Sequence, residues 1–110
     1  MLKVDLEYYK KVLFIRLNGV LTRSTSYKIN NYLVPVILKQ KIKYGVLNLQ
    51  NITDIDEDGI DSLHNIKYAI KSNHGLVYLY ENNKNIVRKI NKLHLKKITE
   101  ENDVLNIIGA

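Results

Sequence analysis

Short apolar runs of strand length alternate along this chain with longer segments whose apolar residues recur every three or four positions. The runs at residues 4–8 and 12–17 are typical of β-strands, and the first alternates with polar residues as an edge strand does. Two further runs follow at 46–49 and 76–80, with helical spacing between and after them. The order strand, strand, helix, strand, helix, strand, helix predicts an α/β fold with a four- or five-stranded mixed sheet. We expect one domain over residues 1–110, with helices packed mainly on one face of the sheet.

The first helical segment carries an apolar stripe that is interrupted by a proline. The stripe consists of Tyr27, Val34, Ile37 and Leu38. Pro35 lies inside it and predicts that the helix kinks or restarts there. Upstream, Asn18-Gly19 leaves two alternatives open. One is a hairpin turn into residues 20–22, and the other is a loop through residues 22–25 that enters the helix with a Ser or Thr N-cap.

The second helix is expected after a polar loop that runs through Asp58-Gly59. The residues expected to face the core from it are Ile60, Leu63, Ile66, Tyr68 and Ile70. Gly75 is expected to take the left-handed position at its end. A third helix is marked by Ile86, Val87, Ile90 and Leu93. A short strand at Ile98 and a final helix opened by residues 99–101 complete the prediction.

The composition excludes several classes of protein. The chain has no Cys, so it has neither disulfides nor thiolate metal sites. No run of about 18 apolar residues occurs, so we expect a cytoplasmic protein without membrane insertion. The net charge is +6, but 14 of the 17 cations are lysines spread along the chain. Nucleic-acid binding needs clustered cations, so we expect no nucleic-acid partner, and the densest basic stretch, residues 88–97, is interpreted as a solvated helix face.

Acidic residues are concentrated where the third strand passes into the second helix. Five of the eleven acids lie within eight residues, and they are Asp54, Asp56, Glu57, Asp58 and Asp61. Binding sites of open α/β sheets lie at such carboxyl ends of strands. The spacing Asp54-x-Asp56-x-Asp58-Gly59 also resembles the opening of a calcium loop, although Asn65 stands where the closing Glu is needed. Calcium binding is therefore a remote alternative.

The same region carries a resemblance to a known family. The segment VLNLQNITDIDEDGIDSLHNIKYAIKSNHGLVYLYENN resembles the centre of the STAS domain, the fold of bacterial anti-sigma factor antagonists. NKNIVRKINKLHL is similar to the family's next helix, and LFIRLNGVLTRSTS is similar to its "GELD" segment. Val20 and Thr22 stand where that segment carries acids. The resemblance covers almost the whole chain and implies a STAS-like single domain.

The resemblance also assigns positions in the loop before the second helix. Asp56 matches the family Asp, Glu57 the first Ser of its "D-S-S-G" loop, Asp58 the second Ser, and Gly59 the Gly. The second Ser is the one that a partner kinase phosphorylates in such antagonists. Asp58 has no hydroxyl to accept a phosphoryl group, so we interpret it as a helix cap, as a partial imitation of phosphoserine, or as both at once. The nearest hydroxyls that could replace the missing phosphorylation site are those of Thr53 and Ser62.

The resemblance implies binding to a protein partner without catalysis. The expected partner is an anti-sigma factor or a switch-type serine kinase, and the chain is expected to be a monomer or weak homodimer. The alternative is a scaffold subunit that packs against other STAS proteins or a transport component. The residues expected to contact the partner are Thr22, Arg23, Ser24, Asp56, Glu57, Asp58, Gly59, Asp61 and Ser62. The three His residues match no metal-ligand spacing, and no phosphate-binding glycine loop occurs, so we expect no cofactor.

Overall fold

A computed structural model of the chain describes residues 1–109. The strands are β1 (Leu2–Tyr9), β2 (Val12–Leu21), β3 (Tyr44–Ile55), β4 (Leu76–Tyr80) and β5 (Lys96–Lys97). The helices are α1 (Val34–Lys39), α2 (Glu57–Ser72), α3 (Lys84–Lys89) and α4 (Asp103–Ile107), with a π-helical turn at Lys28–Leu33 and a 3-10 turn at Asn91–Leu93. The predicted α/β order is confirmed.

The five strands form one mixed sheet in the order β1-β2-β3-β4-β5. β1 is antiparallel to β2, and the remaining pairs are parallel. The first residues of the central strands are in register, with Val12 opposite Tyr44 and Tyr44 opposite Leu76. β2 and β3 extend beyond β4 and end together, with Leu21 opposite Ile55. The sheet therefore has an amino-terminal edge, where β2, β3 and β4 start, and a carboxyl-terminal edge, where β2 and β3 finish.

Two apolar clusters lie on the two faces of the sheet. On one face, residues such as Ile15, Leu47 and Leu79 pack under the first three helices. On the other face, Phe14 and Tyr78 are covered by residues of the C-terminal segment, including Val104 of α4. Each fully buried aliphatic or aromatic side chain contributes about 1.5–3 kcal/mol to folding. The prediction that helices pack mainly on one face is confirmed.

A charged network fixes the C-terminal segment to the second face. Nε and Nη2 of Arg16 donate to the two carboxylate oxygens of Glu101, each at 2.9 Å. Nη1 of Arg16 donates to Glu7 at 2.8 Å, and the amide of Asn48 donates to Glu101 at 2.8 Å. The hydrogen bonds from Arg16 hold the pKa of Glu101 below its usual range, although partial burial opposes the shift. The hydrogen bonds that Arg16 donates to Glu101 and to Glu7 raise the pKa of Arg16.

A loop joins β2 to the first helical region, as the second of the two predicted alternatives has it. The expected Ser or Thr N-cap is not formed. β2 continues through Asn18 and Gly19 to Leu21, so the hairpin turn is wrong. Gly19 has φ +108° and lies where the pairing of β2 with β3 shifts its register. A Cβ there would lie 2.1 Å from the carbonyl oxygen of Met1. The loop then enters a π-helical turn whose N-cap, Tyr27, makes no side-chain hydrogen bond, so the predicted Ser or Thr cap is wrong. Pro35 lies at the start of α1, which confirms the predicted restart.

Two expectations for α2 are also wrong. Tyr68 is 59% exposed, whereas Ile66 and Ile70 are buried. Residues two positions apart in a helix are separated by about 200° around its axis, so Tyr68, two residues after Ile66, points away from the core. His74, not Gly75, takes the left-handed conformation, with φ 65°. Gly75 is required for a different reason, since a Cβ there would lie 1.8 Å from the carbonyl oxygen of Lys43.

Candidate functional site

The candidate site lies at the carboxyl-terminal edge, where β2 and β3 finish side by side. Because Leu21 is opposite Ile55, the residues that follow these two strands are neighbours. The structure therefore brings together the two segments predicted from the sequence, residues 22–24 and residues 56–62. The backbone N–H of Asp56 donates to the carbonyl oxygen of Leu21 at 3.3 Å and extends the contact by one residue.

Asp56 connects the two segments through its side chain. It is the N-cap of α2, and its Oδ1 accepts a hydrogen bond from the N–H of Gly59 at 2.8 Å. Its Oδ2 accepts one from the N–H of Arg23 at 3.0 Å. These bonds, that of Gly59 first, lower the pKa of Asp56 below its ordinary value. The cap expected as one alternative at Asp58 is thus formed by Asp56, because β3 extends to Ile55 and the helix starts earlier than the sequence indicated.

Gly59 and Ser62 belong to the packing beneath the site. Gly59 is buried, and a Cβ on it would lie 2.1 Å from the carbonyl oxygen of Leu21. The absence of a side chain lets the first turn of α2 approach the end of β2. Ser62 is fully buried, and its Oγ donates to the carbonyl oxygen of Gly59 at 2.6 Å. The expectation that Ser62 contacts the partner is therefore wrong, because its side chain lies on the core side of α2.

The exposed part of the site consists of charged and polar side chains. These residues are Arg23, Ser24, Glu57, Asp58 and Asp61. Asp58 lies in the first turn of α2, where a negative charge interacts favourably with the helix dipole. Within residues 1–109, no hydrogen bond or ion pair satisfies its carboxylate. Position 58 is presented to solvent and is not needed for capping.

Two lysines of the third helical region also reach the site. Nζ of Lys92 lies 3.0 Å from a carboxylate oxygen of Glu57, and Nζ of Lys89 lies 3.7 Å from one of Asp54. All four side chains are well exposed, so each pair contributes little to stability. The two lysines place positive charge beside the acidic cluster, and Lys89 also lines a shallow cavity of about 380 Å³ with Ile55, Glu57 and Ile60. Sequence reasoning missed their role because the pairs join residues 35 positions apart.

Thr25 is a third residue that sequence reasoning did not place in the site. It is 7% exposed, and its Oγ1 donates to the carbonyl oxygen of Val20 at 2.9 Å while accepting from the N–H of Thr22. The hydroxyls of Thr22 and Ser24 lie 3.2 Å apart. The side chain of Thr25 thus fixes the loop that carries Arg23 and Ser24.

The comparison with family models decides the family. Residues 3–106 match the model of the STAS domain. The chain belongs to the STAS domain family. The structure is similar to that of the anti-sigma factor antagonist SpoIIAA in its unphosphorylated form, with TM-score 0.80, 15% identity, and coverage of 98% of this chain and 99% of that one. It is also similar to a putative antagonist from Thermotoga maritima, with TM-score 0.83, 15% identity, and coverage of 97% and 95%.

A third similar structure is an anti-sigma factor antagonist from Mycobacterium paratuberculosis, with TM-score 0.80, 10% identity, and coverage of 100% and 96%. At these identities the likeness concerns the STAS fold. Within the part of the chain that is described, no helix is long and apolar enough to cross a membrane.

The geometry of this STAS domain contradicts the calcium alternative. Asp54 lies in β3, Asp56 is an N-cap and Asp58 lies in α2, so the three carboxylates do not line one loop. Both oxygens of Asp56 accept backbone hydrogen bonds. Among residues 1–109, no group of three or more His, Asp or Glu side chains is arranged to hold a metal ion.

Proposed function

We propose that this STAS domain is a non-enzymatic regulatory protein that binds an anti-sigma factor or a switch-type serine kinase through the carboxyl-terminal edge of its sheet. The proposed contact surface consists of Arg23, Ser24, Glu57, Asp58 and Asp61, supported from below by Asp56, Gly59 and Thr25. It acts without a cofactor and in the cytoplasm.

The observation that carries this proposal is the position of Asp58. By resemblance it stands where the antagonists have their phosphorylated Ser, and the structure presents it on the first turn of α2 with its carboxylate in solvent. Asp56 already caps the helix, so capping does not account for the acid at position 58. The carboxylate is therefore available to a partner.

We further propose that Asp58 imitates phosphoserine. Its side chain holds a permanent negative charge at the position where phosphorylation adds one, although with one charge and two oxygens in place of nearly two charges and three oxygens. In antagonists of this kind, as the resemblance implies, phosphorylation of that Ser abolishes their binding. Asp58 thus keeps this domain in the weakly binding state with respect to a kinase-type partner, and no kinase can switch it at this residue.

Chemical-shift mapping tests the proposed surface. In a titration of the ¹⁵N-labelled domain with the kinase-type anti-sigma factor encoded nearest its gene, we expect the largest changes at the backbone amides of Arg23, Ser24 and residues 57–61. The amides of the opposite sheet edge, such as those of Lys11 and Lys43, serve as the internal control. Changes confined to that opposite edge contradict the proposal.

A scaffold role is the second candidate, and an exposed apolar face favours it. A cavity of about 710 Å³ lies between β1 and the first helical region, lined by residues that include Leu6, Tyr27, Tyr32 and Val36. These four side chains are between 45% and 66% exposed. Packing against further STAS copies would cover this face. Sedimentation velocity separates the candidates, since a scaffold assembles with rising concentration and an antagonist remains a monomer or weak dimer.

A further inference from the structure

The amino-terminal edge of the sheet concentrates positive charge that the sequence distributes along the chain. Three turns lie there, because the first residues of β2, β3 and β4 are in register. The turns and the helix ends that precede them carry Lys10, Lys11, Lys39, Lys41, Lys43, Lys71 and His74, all exposed. The three segments, residues 10–11, 39–43 and 71–75, contain no Asp or Glu. Within residues 1–109, none of these lysines pairs with a carboxylate. We call this surface the basic edge.

The backbone at the basic edge is unfavourable for the residues that occupy it. Among residues 1–109, the residues other than Gly with positive φ are Lys10, Lys11, Lys41, His74 and His94, and all five are basic types. The first four lie in the three turns of the basic edge. Positive φ favours Gly and, after it, Asn. None of these five positions holds one of the chain's 13 Asn residues; they hold Lys or His instead.

The hydrogen bonds of the three turns show that Lys and His occupy positions where Gly or Asn is usual. Lys41 follows the C-cap of α1, its N–H donates to the carbonyl oxygen of Leu38, and the next N–H donates to that of Ile37. His74 follows the C-cap of α2 in the same way. Its N–H donates to the carbonyl oxygen of Lys71, and the N–H of Gly75 donates to that of Ile70. This is the Schellman motif, which usually has Gly at that position. Lys10 and Lys11 form a two-residue hairpin turn with two positive φ angles, for which Asn-Gly is preferred.

Apolar side chains are interspersed with these cations. Leu76 is 57% exposed at the start of β4, and Leu38 is 46% exposed near the end of α1. Tyr9 is 48% exposed beside the hairpin turn, and the ammonium group of Lys10 lies 5.4 Å from the centre of its ring. Beside Leu76, a cavity of about 260 Å³ is lined by further basic residues, among them Lys67, Lys96 and His94.

We propose that the basic edge docks on the surface of a bilayer that contains anionic phospholipids. Clustered lysines are attracted to such a surface, and Tyr and aliphatic side chains enter the interfacial region beside the headgroups. The observations favour a bilayer over a nucleic acid for two reasons. The exposed aliphatic side chains have no counterpart in a phosphodiester backbone, and the edge carries no Arg, the residue best suited to bidentate phosphate recognition.

Docking in this way leaves the candidate partner site free. β3 runs from the basic edge at Tyr44 to Ile55, immediately before Asp56. Twelve residues of strand span roughly 36 Å. The two surfaces therefore lie at opposite ends of the sheet, and a docked domain presents Asp58 away from the bilayer. This inference does not depend on the proposed function of the partner site.

Vesicle flotation tests the proposal. We expect the full chain to float with phosphatidylcholine vesicles that contain roughly one-third phosphatidylglycerol, and to remain in solution with phosphatidylcholine alone. Salt at about 1 M, which shortens the Debye length to about 3 Å, abolishes flotation. The triple variant Lys10→Gln, Lys41→Gln, Lys71→Gln is expected to lower the partition coefficient roughly 100-fold.

A matched control removes the same charge elsewhere. The triple variant Lys3→Gln, Lys84→Gln, Arg88→Gln changes three exposed cations outside the basic edge and is expected to retain most of the binding. Circular dichroism verifies that both variants are folded. The proposal is overturned if the wild type does not float with anionic vesicles, or if the control variant loses as much binding as the edge variant. It is also overturned if an oligonucleotide duplex, and not the vesicles, binds the wild type in a manner that the edge variant abolishes.

Discussion

The carboxylate of Asp56 accepts a hydrogen bond from the backbone N–H of Arg23, a residue 33 positions earlier in the chain. The same carboxylate accepts from Gly59 and caps α2. One side chain thus sets both the start of the helix and the position of the loop beside it. The geometry of the proposed contact surface depends on this residue, although the resemblance matches Asp58, and not Asp56, to the phosphorylated Ser.

Replacing Asp56 by Ala is expected to loosen both segments. The N–H groups of Gly59 and Arg23 lose their acceptor, so their amide hydrogens should exchange roughly ten-fold faster than in the wild type, and the urea midpoint should fall. Hydrogen exchange followed by NMR measures both amides. Asp58→Ala is the matched control and should leave the exchange of these two amides unchanged; equal effects of the two variants would contradict the assignment of the cap.

The stabilisation by Asp56 should depend on pH. Its pKa is lowered in the folded state, so its contribution is fully present above the unfolded pKa and is lost as pH falls through the folded value. Urea denaturation between pH 6 and pH 2 should therefore show that the free energy of unfolding falls less steeply with decreasing pH for Asp56→Asn than for the wild type. An equal decrease in the free energy of unfolding for the two proteins would show that the carboxylate contributes no pH-dependent stability.

Gly59→Ala is expected to be strongly destabilising. The added methyl carbon would lie 2.1 Å from the carbonyl oxygen of Leu21, so α2 or β2 must shift. Such overpacking typically costs about 1–3 kcal/mol. Chemical denaturation measures the loss. Asp61→Ala, on the exposed side of the same helix, should remain within about 0.5 kcal/mol of the wild type; a Gly59→Ala protein equally close to the wild type would contradict the close approach.

Glu101→Gln is expected to weaken the attachment of the C-terminal segment to the sheet. The substitution removes the charge that accepts two hydrogen bonds from Arg16, and charge-assisted bonds of this kind contribute about 1.5–3 kcal/mol. Glu100→Gln, at the exposed neighbouring position, is the control and should be close to neutral. Because the pKa of Glu101 is lowered, its contribution is present above the unfolded pKa and lost as pH falls through the folded one. A Glu101→Gln protein as stable as the control at pH 7 would contradict this network.

Sequence patterns predicted most elements because apolar periodicity determines which face is buried. Leu63, Ile66 and Ile70 are buried as expected, and Pro35 marks the restart of the first helix. The patterns failed where an element's end depends on a distant partner. β2 passes through Asn18-Gly19 because this stretch pairs with β3, Asn18 opposite Asn51 and Gly19 opposite Ile52.

The sequence pointed to two segments for the partner contact, and this role stays a prediction. Asp54 to Asp61 and the loop after β2 lie together because β2 and β3 are parallel and finish at one edge of the sheet. The cap moved from Asp58 to Asp56 because β3 continues to Ile55, where it pairs only with β2. The roles of Lys89 and Lys92 could not be predicted, since they follow from how the third helical region packs against the start of α2.

Lys41→Gly should stabilise the fold while weakening vesicle binding. Lys41 has φ 53°, and Gly relieves a left-handed strain of roughly 1 kcal/mol. Thermal unfolding and flotation measure the two effects. Lys39→Gly is the contrasting control, because Gly within the last turn of α1 should destabilise by about 0.5–1 kcal/mol while removing the same charge. A Lys41→Gly protein that is less stable than the wild type would show that the Schellman position carries no strain.

Calorimetric titration with the kinase-type anti-sigma factor encoded nearest the gene measures whether Asp58 acts as a fixed imitation of phosphoserine. It compares the wild type, Asp58→Ser and the isosteric neutral variant Asp58→Asn, with ADP and then with ATP. We expect both variants to bind at least about ten-fold more tightly than the wild type with ADP. With ATP, only the Ser variant is phosphorylated and loses its binding. Equal affinity of all three proteins, or an unmodified Ser variant that remains bound with ATP, would contradict the assignment of Asp58 as a fixed imitation of phosphoserine.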